Sequence, residues 1–220
     1  MSAIAGNIAR IRSGLPAGVT LLAVSKFHPV EALREAYDAG QRVFGENRVQ
    51  ELLAKQPLLP PDIEWHLIGT LQTNKVKYIA PFIHTIQSID SPALLEEVDR
   101  QAAKCNRSLR VLLEIHIAAE ASKHGFSPDE CRTLLRNGPA DACPHIRIGG
   151  LMGMASFTED REQVRQEFRS LRTLFDELKP LAGDAFNTLS MGMSGDYPVA
   201  LEEGSTLIRI GASIFGERRL

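Results

Sequence analysis

Short apolar, β-prone runs alternate along this chain with longer segments whose apolar residues recur at i, i+3, i+4 and i+7. The runs predict strands at Thr20–Ser25, Arg42–Phe44, Glu64–Leu67 and Ile83–Gln87, then at Leu109–Ile117, Ile146–Gly149, Phe186–Leu189 and Thr206–Ile210. Val164, Phe168, Leu171, Leu174, Phe175 and Leu178 form the clearest helical stripe. Ile4, Ile8 and Ile11 share that spacing and predict a short helix ahead of the first strand. A strand–helix–strand crossover returns the chain to its starting edge, so the strands should run parallel. Eight strands with eight intervening helical segments suit a (β/α)8 TIM-type barrel better than an open doubly wound sheet. At 220 residues the chain sits at the lean end of the barrel range of roughly 200 to 400. No Pro/Gly/Ser-rich linker or internal repeat divides it, so residues 1–220 read as a single barrel domain.

Composition narrows the function classes. With 25 Lys and Arg against 27 Asp and Glu, the net charge of −2 excludes an electrostatically driven nucleic-acid binder and offers no basic patch for a membrane. Cys105, Cys131 and Cys143 are odd in number and form no C-x-x-C pair, which speaks against a disulfide scaffold or a metal site and for a reducing cytosol. Arg10 and Arg12 stand where a signal peptide would carry its apolar run, and no apolar stretch approaches the roughly 18 residues of a membrane span. A cytoplasmic protein is expected. H-E-x-x-H, the phosphate-loop motif and G-x-S-x-G are all absent from the sequence.

In such a barrel the chemistry sits where strands end and the following loops begin. Lys26 ends the first strand, Glu46 and Asn47 follow the second, and His66 and Gly69 end the third. Glu114 and His116 share a face of the fifth strand, and Met152 and Met154 follow the sixth. Ser190, Met191 and Ser194 follow the seventh, and Arg209, Gly211 and Ala212 close the eighth. A lysine directly after LLAV can snorkel outward. Partly buried, it favours the neutral amine that attacks an aldehyde. The last two loops, SMGMSGDYP and RIGASIFGE, occupy the usual phosphate position of the fold. Ser194 is a candidate N-cap for a helix beginning near Asp196, although the Asp196 carboxylate would have to point away from a phosphate. Arg209 inside TLIRIG needs an acid such as Glu202 or Glu203, or else a ligand at the barrel mouth. Lysine, phosphate cup and arginine together describe a site for pyridoxal 5′-phosphate (PLP).

The motifs AVSK, FGENRVQE, WHLIGTLQTNK, IQSID, GLMGM, LSMGMS and GSTLIRIGASIFG span nearly the whole chain. Through them the chain resembles the pyridoxal phosphate homeostasis proteins, a family related to the N-terminal barrel domain of alanine racemase. The resemblance implies a barrel carrying PLP as an aldimine on Lys26. Its phosphate would rest on Ser190, Ser194 and the Gly211–Ala212 backbone, with Arg209 facing the pyridine nitrogen. With Asn47, His66 and Met191 these make up the expected cofactor-binding set, and no metal is expected. Departures from the family pattern are Ala212, where Thr or Ser is common, Phe27 and His28, where Thr-Lys is common, and His116, where an amide is frequent. The implied function is that of a monomeric, non-catalytic PLP carrier in vitamin B6 homeostasis, passing cofactor to apo-enzymes that depend on it. The alternatives are a PLP-dependent amino-acid racemase and a Schiff-base aldolase whose cup binds substrate.

Overall fold

The computed structural model describes residues 2–119, 124–138 and 142–216. Helix α1 (Ala3–Ser13) begins at Ser2, whose hydroxyl accepts the Ala5 N–H and so caps the first turn. Eight parallel strands follow: β1 (Thr20–Val24), β2 (Val43–Glu46), β3 (Glu64–Leu67), β4 (Thr85–Ile89), β5 (Leu109–Ile115), β6 (Ile146–Gly153), β7 (Thr188–Ser190) and β8 (Leu207–Ile210). They close in sequence order, β8 returning to β1 from Thr20 opposite Leu207 to Ala23 opposite Ile210.

A helix follows each strand: α2 (Val30–Asp38), α3 (Val49–Lys55), α4 (Val76–Ile79), α5 (Pro92–Lys104), α6 (Pro128–Arg136), α7 (Arg161–Ala182), α8 (Tyr197–Glu202) and α9 (Ala212–Phe215). The predicted stripe on α7 is buried in full, and Asp160 caps that helix by accepting the Glu162 and Gln163 N–H groups. Helix α1 lies against α9, where Asn7 donates to the Ile214 carbonyl at 3.0 Å.

Most of the apolar core lies between the strands and the helices, where Leu21, Ala23, Phe44, Leu67, Val111, Leu113 and Ile208 point outward. The barrel interior is different. Leu22, Leu112 and Met152 are buried there, but so are His66, Gln87, Glu114, Ser190 and Arg209. An interior this polar is costly unless its groups bond to one another.

Several strand ends differ from the sequence expectation. Strand β6 runs on through Gly149 and Gly150 to Gly153, placing Met152 inside the sheet opposite Glu114 and Ser190. Gly150 is a strand residue because of a close approach: at φ +147° a Cβ there would lie 1.8 Å from the Thr188 oxygen. Strand β5 ends at Ile115, so His116 lies outside it and turns its Nε2 to the Ala118 carbonyl at 2.9 Å. Ile83 and Phe186 precede their strands and pack as fully buried plugs.

Candidate functional site at the C-terminal mouth

Lys26 leaves β1 in a tight turn, half-buried, with the His28 N–H bonded to the Ser25 carbonyl at 3.1 Å. Phe27 takes φ +67° at the third position of that turn, a left-handed conformation that a bulky residue holds only under constraint. The constraint comes from below. Glu51 accepts the Phe27 N–H, and the Arg48 guanidinium lies 5.6 Å from the Phe27 ring centroid. Buried Lys55 donates to the Ser25 carbonyl and to Glu46 at 2.8 Å each, and to Glu51 at 2.6 Å, so all three ammonium protons are used. The Ser25 hydroxyl donates to the same Glu46 oxygen at 2.6 Å. Burial raises the Glu46 carboxyl above its usual range, although Lys55 and Ser25 pull it back. Lys55 therefore clamps the strand-end turn that presents Lys26.

Arg209 emerges from β8 into the interior, 4% exposed. It does not pair with Glu202 or Glu203, which are taken by Arg165 and Arg169 on α7. Its Nη1 donates to the Ser190 hydroxyl at 2.7 Å and the Ser190 carbonyl at 2.9 Å, and its Nη2 donates to the Gly153 carbonyl at 2.9 Å. Burial lowers its pKa to about 10, opposed by Asp196 and Glu114, so it stays charged at neutral pH. Glu114 is pushed up to about 7, by burial first and then by Asp90, with Arg209 opposing.

The structure relocates several residues of the expected set. Ser190 lies within β7, fully buried, and its hydroxyl also donates to Gln87 Oε1 at 2.7 Å. It supports Arg209 from inside the barrel and does not reach into the loop. Met191 is fully buried in the core between barrel and helices. His66 pairs with Thr85, the first residue of β4, and lines a cavity among the first residues of the strands, at the N-terminal end of the barrel instead of the mouth beside Lys26.

Other members stay at the mouth. Asn47 follows β2 half-buried, its backbone pressed on Gly69, where a Cβ would lie 2.5 Å from the Asn47 oxygen. Ser194 is half-buried in the β7–α8 loop. The cap of α8 is Asp196 and not Ser194, with Pro198 in the first turn. The Asp196 carboxylate accepts the Met193 N–H. Gly192, at φ +97°, lets this loop pass over Ala200, whose Cβ would be 2.6 Å from an added Cβ. Gly211 leads from β8 into α9 beside the Val24 carbonyl, and the Ala212 and Ser213 N–H groups open that helical turn without intrahelical acceptors. The mouth thus gathers an amine, a buried guanidinium and two helix-opening N–H donors with a serine.

Comparison with known proteins decides the family. The family described as "Alanine racemase, N-terminal domain" matches residues 1–219. The pyridoxal phosphate homeostasis protein of Aquifex aeolicus is 44% identical over 200 residues, covering 90% of this chain and 87% of that one. The chain belongs to this family, among its pyridoxal phosphate homeostasis proteins. PipY of Synechococcus elongatus PCC7942, solved without PLP, is 42% identical with a TM-score of 0.91 over 97% of this chain and all of that one. The same protein with PLP bound aligns with a TM-score of 0.88. Sequence reasoning within this family missed Lys55. Its spacing from Glu51 was visible, but that pattern normally marks an exposed helical ion pair.

Proposed function

We propose that this chain is a PLP carrier serving vitamin B6 homeostasis, with residues 1–220 acting as one cofactor-binding barrel. The observation that carries this reading is Arg209, a buried charge held by neutral acceptors and facing the same mouth as Lys26. A buried guanidinium whose hydrogen-bond partners are all neutral favours an electron-rich partner, and the ring nitrogen of PLP is one. The PLP-bound form of PipY, at 42% identity, supports the same ligand. When bound, PLP supplies a reactive aldehyde and an electron-accepting ring.

In this reading Lys26 provides the amine for covalent attachment, and the Lys55 clamp fixes where that amine stands. Arg209 meets the ring nitrogen. Ser194 and the Ala212 and Ser213 N–H groups hold the phosphate, so the loss of a hydroxyl at Ala212 leaves the backbone donors in place. Asn47 borders the ring from β2. We assign no catalytic turnover, a monomeric state, a cytoplasmic setting and apo-enzymes as recipients. Among the described residues no helix is long and apolar enough to cross a membrane.

The deciding experiment is the absorbance spectrum and intact mass of PLP-treated protein before and after borohydride reduction. A visible band converting to a stable mass addition, absent in Lys26→Ala, is the expected result. A full-strength addition in Lys26→Ala would move the anchor elsewhere. Covalent attachment of a substrate aldehyde with no pyridine chromophore would favour the aldolase alternative.

A further inference from the structure

The opposite end of the barrel carries a second cluster of polar groups that the PLP reading leaves unused. The first residues of the strands surround a cavity of about 510 Å³ lined by Arg107, Arg110, Arg147, His66, Ser108 and Thr188. None of these three arginines has a carboxylate within ion-pair distance among the described residues. Arg107 donates to the Ala80 and Ile83 carbonyls, and Arg110 to Gly149, Asn187 and Thr188. Arg147 is exposed. Glu64 also borders the space, but it lies 3.6 Å from His84 and is half-exposed.

His66 supplies the pointer to a ligand. It is 5% exposed, and its Nε2 is buried with no hydrogen-bond partner among the described residues. The hydrogen-bond relay assigns that nitrogen's role. Arg209 can only donate, so Ser190 accepts from it and donates its own proton to Gln87 Oε1. The Gln87 amide then donates to His66 Nδ1 at 2.8 Å, which leaves the proton of the neutral ring on Nε2. The ring is neutral at physiological pH, because burial, then His84 and Arg110, lower its pKa to about 3. An unpaired Nε2–H beside unneutralised arginines calls for an acceptor with negative charge.

We infer that the N-terminal mouth of the barrel is a binding site for a small oxyanion of the phosphate class, received by Arg110, Arg147 and the His66 Nε2–H. Glu64, His66 and His84 place their ligand atoms within 4.8 Å of one another, which is also a metal-like spacing. A cation is the poorer occupant, since Nε2 carries its proton and the arginines oppose a second positive charge.

Titration of the PLP-free protein with inorganic phosphate, followed by long-range ¹H–¹⁵N spectra of the histidine rings, tests the assignment. Methyl phosphate in parallel distinguishes a phosphomonoester from the free ion. Saturable binding that shifts His66 Nε2–H, weakens by about tenfold or more in Arg147→Gln, and persists in Ser194→Ala would support the site. Arg147 is exposed, so its variant keeps the test valid if Arg110→Gln does not fold. Three results would overturn the inference: no shift at His66, phosphate binding lost only in Ser194→Ala, or a His66 response to zinc that disappears in Glu64→Gln.

Discussion

Arg209 Nη1 and the Ser190 hydroxyl lie 2.7 Å apart, and the serine passes its own proton to Gln87, so the guanidinium at the mouth is anchored through the width of the barrel. Ser190→Ala should therefore act through Arg209 and not through the phosphate. We expect PLP and phosphate-free pyridoxal to lose affinity by similar factors in this variant. Ser194→Ala should weaken PLP while leaving pyridoxal nearly unchanged. Parallel titrations of both aldehydes check this. A selective loss of PLP binding in Ser190→Ala would return that hydroxyl to the phosphate cup. Stability should also fall by about 1–3 kcal/mol, because Gln87 Oε1 loses its donor inside the barrel.

Lys55 stands buried under the Lys26 turn with three acceptors. Lys55→Met removes all three donations and leaves Glu46 buried without its cation. Breaking such a pair costs about 3–5 kcal/mol, which for a chain of this size lowers Tm by roughly 6–20 °C. The positive φ of Phe27 should relax as well. Where the variant stays folded, we expect slower development of the visible band on adding PLP. Unchanged Tm and unchanged kinetics would show that the clamp is decorative.

Two buried groups pull the acid stability of the protein in opposite directions. Glu114 titrates near 7 in the folded chain and near 4.5 unfolded, so between those values the folded state holds the extra proton. Its contribution is complete below about 4.5 and is lost as the pH rises through 7. His66 titrates near 3 folded and 6.5 unfolded, so its contribution is lost as the pH falls below about 6.5. Each changes stability by up to about 1.4 kcal/mol per pH unit, and the two offset between roughly 4.5 and 6.5. In urea unfolding across that range, Glu114→Gln should become steeper on the acid side than the parent. His66→Gln should slope the opposite way from Glu114→Gln, gaining stability toward acid. Identical slopes in parent and both variants would refute these ionisation states.

The barrel was legible because alternation and the α7 stripe are properties of adjacent residues, and neither depends on distant contacts. Layer positions inside the barrel were less so. WHLIG runs into glycine and reads as a strand end at His66, but the pairing with Thr85, the first residue of β4, and the N-terminal cavity that His66 lines put its side chain at the opposite end. Register across strands decides which mouth an inward side chain serves, and no single strand encodes it. The pair Gly149–Gly150 reads as a stop, and only the Thr188 oxygen passing close by explains why it is sheet. Lys26 and Arg209 stand out in the sequence through the cost of placing a charge after or within an apolar run. Lys55 carried no such cost locally, since its acceptors come from the turn after β1, from β2 and from its own helix.

The family's fold also belongs to racemases, so turnover needs its own test. Exchange of an amino-acid α-proton on both faces requires a second acid/base group opposite Lys26, within hydrogen-bond reach of the α-carbon. Tyr37 and Tyr78 lie on α2 and α4, outside the barrel, and Tyr197 begins α8 beside the proposed phosphate loop. His66 serves the far mouth, and His116 is bonded to the Ala118 carbonyl. Glu114 remains, with a carboxyl near 7 that titrates in the useful range and senses the charge of Arg209. Arg209 itself, near 10, keeps its proton at neutral pH, so in the proposed site it would offer the ring nitrogen a donor instead of a transferable proton. We therefore expect PLP-loaded protein in deuterated water to exchange the α-proton of L-alanine far below about 1 s⁻¹, the lower end of ordinary enzyme rates. Exchange at or above that rate with loss of optical rotation would overturn the carrier reading, and its disappearance in Glu114→Gln would identify the second base.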